Sequence, residues 1–370
     1  MAKAIIILLG FAVGALATAA VVMTEAAGSA RDDARAAAAK VSSTSSSDGM
    51  AGMNMGSSTG GKAALTSYAG TAPANADDLA MAHKPYPAAL PPVQAGPVAS
   101  MHMTLKDVTI DIAPGIKYAA WGFDAGAPGP VVHVREGQTV RMTLTNGGAI
   151  PHSIDFHAAR IAPNVAFRDV DPGKSFTFSF KATDPGVFMY HCGTKPVLAH
   201  IANGMYGAIV VDPSTPLPHA DNEYVLVASE WYLNGPGTSE PAAFSMDKAH
   251  AMMPDWMTFN GYAGQYAKHP LTANPGDVTR FYVVDAGPSL DTDFHVVGTM
   301  FDRAWVNADV TDAPQHGVQT VTVPAGGGGI FDVKIPEEGL YPFVSHSFAS
   351  VDLGQVGVLK VGNPPGTMSH

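Results

Sequence analysis

TVRMTLTN (Thr139–Asn146) is answered, after the turn Asp171-Pro172-Gly173, by SFTFSF (Ser175–Phe180). Val140, Met142 and Leu144 alternate with polar residues in the first segment, and Phe176, Phe178 and Phe180 do so in the second. A period of two places alternate side chains on one face, so both segments read as half-buried antiparallel strands. The texture returns in VTRFYVV (278–284), QTVTVPA (319–325) and FDVKIP (331–336). With 14% charged residues, 39 Gly and 29 Pro, the composition favours turns and short strands over long helices. The expected fold is all-β, and 370 residues suggest about two domains.

The two halves resemble each other. Asp155-Phe156-His157 matches Asp293-Phe294-His295, GVFMYHC after Asp184-Pro185 matches GLYPFVS (339–345), and Gly204-Met205-Tyr206-Gly207 matches Gly354-Gln355-Val356-Gly357. This repeat predicts two similar β-sandwiches, at 99–214 and 215–363, joined near PSTPLP (213–218) and followed by a short tail, 364–370. The run Gly326–Gly329 reads as a loop between strands. It lacks the lysine and following helix of a phosphate-binding loop.

Ahead of the sandwiches, residues 4–23 form an apolar stretch behind Lys3, long enough to span a bilayer. It reads either as a retained membrane anchor or as a signal peptide cut near Gly28-Ser29-Ala30, and residues 1–30 are assigned to it. Either reading exports the chain, to the periplasm or the outer face of the cytoplasmic membrane. Residues 31–98, rich in Ala, Ser, Gly and Pro, read as a disordered low-complexity linker. Met50, Met53 and Met55 lie within it, and clustered thioethers suit Cu(I). A net charge of −11 argues against nucleic acid as a partner.

Cys192, the only cysteine, stands in FMYHCGTKPVLAHIANGMYG (188–207). With His152, His200 and Met205 it offers two imidazoles, a thiolate and a weak thioether, the ligand set of a blue-copper electron-transfer centre. A zinc site would more often use several cysteines. Strand alternation sorts the neighbours. If Cys192 points into its sandwich, His191 points out. In PHSIDFHA (151–158), His152 joins Cys192 inside, whereas Asp155 and His157 share the outer side with His191. Two metal centres are thereby linked through one peptide unit, Cys192–His191. In the second half, Leu290, Ser345 and Gln355 align with His152, Cys192 and Met205, so the inner site is lost there. His295 and His346 remain to serve the outer site. His133, His219, His250 and His316 read as surface or structural residues.

PHSIDFHA, YHC…H…M, DFHVVG and VSHSF fall in the order of the copper-containing nitrite reductases, which this chain resembles over roughly residues 100–362. That resemblance implies two tandem cupredoxin-like Greek-key domains of the multicopper oxidase family. It implies a type 1 copper on His152, Cys192, His200 and Met205. It also implies a type 2 copper on His157, His191 and a His346 from an adjacent subunit of a homotrimer. Asp155 and His295 fall at the catalytic pair, and Val297 at the aliphatic residue over the substrate. The implied reaction, a step of denitrification, takes nitrite, one electron and two protons to nitric oxide and water. The electron would come from a small cupredoxin or a c-type cytochrome. Two other readings compete. A two-domain laccase-like multicopper oxidase would need eight cluster histidines, against four candidates here. A non-enzymatic copper or electron carrier leaves the outward histidines and Asp155 unexplained.

Overall fold

The computed structural model describes residues 66–67, 70–71, 73–124 and 126–365. The apolar segment 4–23 and the Met50, Met53 and Met55 cluster lie outside the described residues. Among the described residues, no helix is long and apolar enough to cross a membrane.

Eight strands build a first sandwich: β1 (Val98–Ala113), β2 (Ile116–Phe123), β3 (Val132–Arg135), β4 (Thr139–Asn146), β5 (Asp155–Phe156), β6 (Ser175–Lys181), β7 (Gly186–His191) and β8 (Tyr206–Asp212). One sheet runs β2-β1-β4-β6 and the other β3-β8-β7-β5. β4 and β6 pair antiparallel with Met142 opposite Phe178, and their alternating apolar residues enter one core with Tyr190, Cys192, Ile209 and Val211.

A second sandwich follows, from β9 (Asn222–Trp231), β10 (Trp256–Phe259), β11 (Leu271–Ala273), β12 (Val278–Asp285), β13 (Thr292–Val296), β14 (Arg303–Trp305), β15 (Val321–Val323), β16 (Gly328–Lys334), β17 (Gly339–Ser345) and β18 (Val356–Val361). Its sheets run β10-β9-β12-β16-β14 and β11-β18-β17-β13-β15.

β8 shows how the sandwiches join. YGAIVV has no polar alternation, because both its faces are buried. Ile209 and Val211 face the first core. Tyr206, Ala208 and Val210 face Val225, Val227, Tyr282, Val284 and Ile330 of the second sandwich. An apolar layer thus fixes the sheet of the first half that ends at His191 against the second, which positions everything at their junction.

Two expectations are corrected. The disordered linker expected for residues 31–98 is not disordered over 73–97. Helix α1 (Ala76–Ala82) opens an arm along the second sandwich: Asp77 pairs with Lys268 at 3.1 Å, and the His83 ring stacks on Tyr262 at 3.7 Å. Beyond it, Val225 N donates to Ala88 O (2.7 Å) and Leu90 N to Glu223 O (3.0 Å). β10 covers β9 only at Ala228–Trp231, so the arm pairs with the part of that edge left open. Its order comes from a distant strand edge rather than from its own composition.

The repeat also holds in a different register from the motif match. In β5 and β7, Asp155 stands opposite His191. In β13 and β17, His295 stands opposite Val344, the equivalent of His191. His295 therefore occupies the position of Asp155, Val297 that of His157, and Thr292, not Leu290, that of His152. The backbone agrees, since Ser153 N donates to Cys192 Sγ (3.3 Å) as Asp293 N donates to Ser345 Oγ (3.1 Å). A slip of two residues leaves every side chain on its original face, which is why the DFH match concealed it.

Candidate metal centres

The inner cluster forms where three elements meet. His152 sits on the segment before β5, bridged to Val170, Cys192 directly follows β7, and His200 lies in α2 (Val197–Ala202). All three are buried, and one ligand atom from each falls within 4.8 Å of the others. His152 Nδ1 lies 3.1 Å from His200 Nδ1, which lies 3.2 Å from Cys192 Sγ. Met205 is fully buried immediately before β8, where its carbonyl accepts from Cys192 N (3.0 Å) and its N–H donates to His200 O (3.2 Å). Burial, reinforced by the His200 charge, lowers the His152 pKa to about 4, and burial lowers that of His200. Both imidazoles are thus kept neutral, as metal ligation requires. Two imidazole nitrogens and a sulfur converging in an apolar pocket fit copper.

Sequence reasoning missed the groups around this cluster. The Trp121 ring packs on both imidazoles, 5.4 Å from His152 and 4.8 Å from His200. Ser153 N donates to the sulfur, and Ser153 Oγ accepts from Gly193 N at 3.0 Å. Ser153 could have been found by its place beside His152. Trp121, some thirty residues upstream on β2, carries no spacing signal.

The second sandwich preserves the scaffold of this cluster without its ligands. Gln355 N donates to Ser350 O (2.9 Å) as Met205 N does to His200 O, so Ser350 takes the place of His200. The result is a buried, hydrogen-bonded set, Thr292, Ser345, Ser350 and Gln355, with Gln355 Nε2 donating to Thr292 Oγ1 (3.0 Å).

On the other side of the Cys192–His191 peptide lies an outer pair. His191 Nε2 and His157 Nε2 are 3.1 Å apart. Each Nδ1 donates to a carbonyl, His191 to Cys192 O (2.9 Å) and His157 to Gly326 O (2.9 Å). A carbonyl can only accept, so both protons sit on Nδ1 and both Nε2 lone pairs face each other. Such an arrangement suits a cation between them, and two imidazoles suit copper. Burial lowers the His191 pKa, which keeps its lone pair available. Asp155, half-buried, stands opposite His191 on the same side.

His295 and His346 form a separate pair, with ring centroids 5.4 Å apart. His295 Nδ1 donates to Gln319 O (2.6 Å), which leaves Nε2 free. His346 is exposed, and Val297, beyond the end of β13, is 38% exposed. Within one chain and among the described residues, His152, Cys192 and His200 form the one group of three or more such ligands. His346 therefore does not complete the His157–His191 pair of its own chain. Of the histidines read as surface or structural, His133 is structural: its Nδ1 donates to Pro91 O (2.6 Å), and its Nε2 lies 3.0 Å from Asp212.

A β-sandwich carrying two imidazoles and a thiolate at one point has the ligand set of a blue-copper site, and residues 104–216 match the multicopper oxidase family. The copper-containing nitrite reductase of Neisseria meningitidis serogroup B is 40% identical over 265 residues, which cover 70% of this chain and 67% of that protein. The copper nitrite reductase from Nitrosomonas europaea superposes with a TM-score of 0.65 at 36% identity, over 72% of this chain and 95% of that one. The Cu-containing nitrite reductase from Thermus scotoductus gives a TM-score of 0.67 at 28% identity, over 72% and 62%. The chain belongs to the copper-containing nitrite reductase family.

Proposed function

We propose that the protein is a copper-dependent nitrite reductase, converting nitrite, one electron and two protons into nitric oxide and water. One observation carries this reading. Consecutive residues serve two clusters: Cys192 Sγ lies 3.2 Å from His200 Nδ1, and His191 Nε2 lies 3.1 Å from His157 Nε2. An electron received at the inner cluster has one covalent peptide unit to follow to the outer one.

His152, Cys192, His200 and Met205 would hold a type 1 copper. His157 and His191, with His346 contributed by an adjacent subunit, would hold a type 2 copper, one of each per subunit. Copper at these positions supplies the redox step and Lewis acidity toward nitrite. The chain's own groups handle the protons. Asp155 holds one at its carboxylate beside His191. His295 exchanges protons at Nε2, because its Nδ1–H is committed to Gln319 O. Val297, two residues on and exposed, would limit the space over the substrate.

Two half-sites on one chain, His157–His191 and His295–His346, support a homo-oligomer in which neighbouring subunits complete each other, a homotrimer by family resemblance. We assign residues 99–214 and 215–363 to two cupredoxin domains. The apolar segment 4–23 supports export; the electron donor would be a small cupredoxin or a c-type cytochrome.

The test is anaerobic. The copper-loaded protein is reduced, nitrite is added, and nitric oxide is measured. Nitric oxide together with type 1 and type 2 signals in electron paramagnetic resonance is expected. A fully loaded protein that yields no nitric oxide would overturn the assignment.

A further inference from the structure

The run Gly326–Gly329 lies where the second sandwich meets the outer histidine pair. Gly326 O accepts the Nδ1–H of His157 at 2.9 Å. That bond fixes the tautomer of His157 and the direction of its Nε2, which faces His191 Nε2 at 3.1 Å. The carbonyl is itself held from behind. Gly326 N donates to Asp285 O (2.7 Å), Asp285 N donates to Gly327 O (3.1 Å), and Ala325 N donates to the Asp291 carboxylate (3.0 Å).

Glycine is required by the geometry at two of these positions. Gly326 adopts φ +80°, in the left-handed region. A Cβ at Gly328 would lie 2.5 Å from Val187 O, a separation no side chain tolerates. Val187 belongs to β7, the strand that ends at His191. The loop thus rests on the strand carrying one outer histidine while its carbonyl holds the other.

We propose that the turn 324–327, with Gly328 at the start of β16, is the positioning element of the outer copper site and that Asp291 is the positioning residue that sets its carbonyl. Neither touches the reacting atoms; both act through His157. The inference rests on the reading of His157 and His191 as type 2 ligands. It gives the second sandwich a role toward the outer site of its own chain, beyond any residue it lends to a neighbour.

The test uses full-length, copper-loaded protein as wild type, Asp291→Ala, Asp291→Asn and Gly328→Ala, with Cu(II) as the probe. The type 1 visible band reports the inner site. Chelator competition followed by electron paramagnetic resonance reports Cu(II) affinity at the outer one. Asp291→Ala and Gly328→Ala are expected to weaken outer Cu(II) binding about 10–100-fold with the type 1 band unchanged. Asp291→Asn keeps an acceptor for Ala325 N and is expected to retain the wild-type affinity. Should Gly328→Ala lose the type 1 band, Asp291→Ala, on an exposed residue, decides the matter. Wild-type outer affinity in Asp291→Ala would overturn the inference, as would equal weakening in Asp291→Asn, which would make charge rather than the hydrogen bond responsible. A wild type that shows type 1 but no type 2 copper would instead overturn the underlying reading of the two histidines.

Discussion

Asp155 and His295 occupy the same position in the two sandwiches. Asp155 stands opposite His191 across β5 and β7, and His295 stands opposite Val344, the counterpart of His191, across β13 and β17. One strand position has thus yielded a carboxylate in the first half and an imidazole in the second. An adjacent-subunit arrangement that brings His346 to one copper brings His295, its ring neighbour at 5.4 Å, to the same place. The proton-handling pair would then unite two copies of one position on the fold.

Replacing Asp155 with Asn keeps the size of the side chain and removes its titration. Asp155→Asn is expected to retain the type 1 visible band and both coppers while nitrite turnover falls about 10²–10⁴-fold, the usual worth of a positioned acid or base. Steady-state nitric oxide formation checks this. Turnover at the wild-type rate would remove Asp155 from the mechanism.

The inner cluster was legible because its chemistry is local. Cys192, His200 and Met205 fall within one short segment, 192–205, and strand alternation sends His191 to the side opposite Cys192. The registers were not legible, since a slip of two preserves every facing, and Thr292 rather than Leu290 proved equivalent to His152. The arm at 73–97 was hidden for a different reason. Its strand-edge partners, such as Val225 for Ala88, lie more than a hundred residues away, and its own composition gives no core. Gly326 was visible as a glycine, but nothing in the sequence places its carbonyl against His157.

The buried His152 sets a pH dependence for the copper-free protein. Its folded-state pKa, lowered to about 4 by burial, lies below the ordinary 6.5, so the unfolded chain binds the proton more readily. The stability tied to this neutral imidazole is full above pH 6.5 and is lost as pH falls toward 4. The total is up to about 3 kcal/mol. Urea unfolding of copper-free protein at pH 7 and pH 5 should show about half of this loss, and His152→Leu should make the decline shallower, leaving the part that belongs to the buried His200. An equally steep decline in that variant would place the titration elsewhere.

Glu230 has the opposite sign. Its carboxyl is buried, Oε1 accepts from Ser289 N (3.0 Å) and Leu290 N (2.6 Å), and Tyr232 donates to Oε2. Burial raises its pKa, so stability is lost as pH rises above the ordinary 4.5 and through the raised folded value. Glu230→Gln keeps the Oε1 acceptor and never ionises. It is expected to unfold at a higher temperature than wild type at pH 8 and to lose that advantage at pH 4. A gain of equal size at both pH values would show that ionisation is not the cause.

The proposed sharing of the outer site between subunits makes a quantitative prediction. His157→Ala removes a ligand from one half-site and leaves His295 and His346 intact; His346→Ala does the reverse. Each variant alone is expected to be almost inactive with nitrite while keeping its type 1 band, because His152, Cys192 and His200 come from one chain. Co-expressed with different tags, the two form mixed rings. A competent outer site arises wherever a subunit with intact His157 meets a neighbour with intact His346, which is about one site in four over all randomly mixed trimers and about one in three in the mixed trimers that double-tag purification keeps. Nitric oxide formation by doubly tag-purified material should therefore recover to a substantial fraction of wild type, with type 2 copper reappearing in proportion. Sites contained within single chains would recover nothing on mixing, since every chain would carry one lesion. Doubly tagged rings without activity would overturn the shared site and leave His346 to a role within its own subunit.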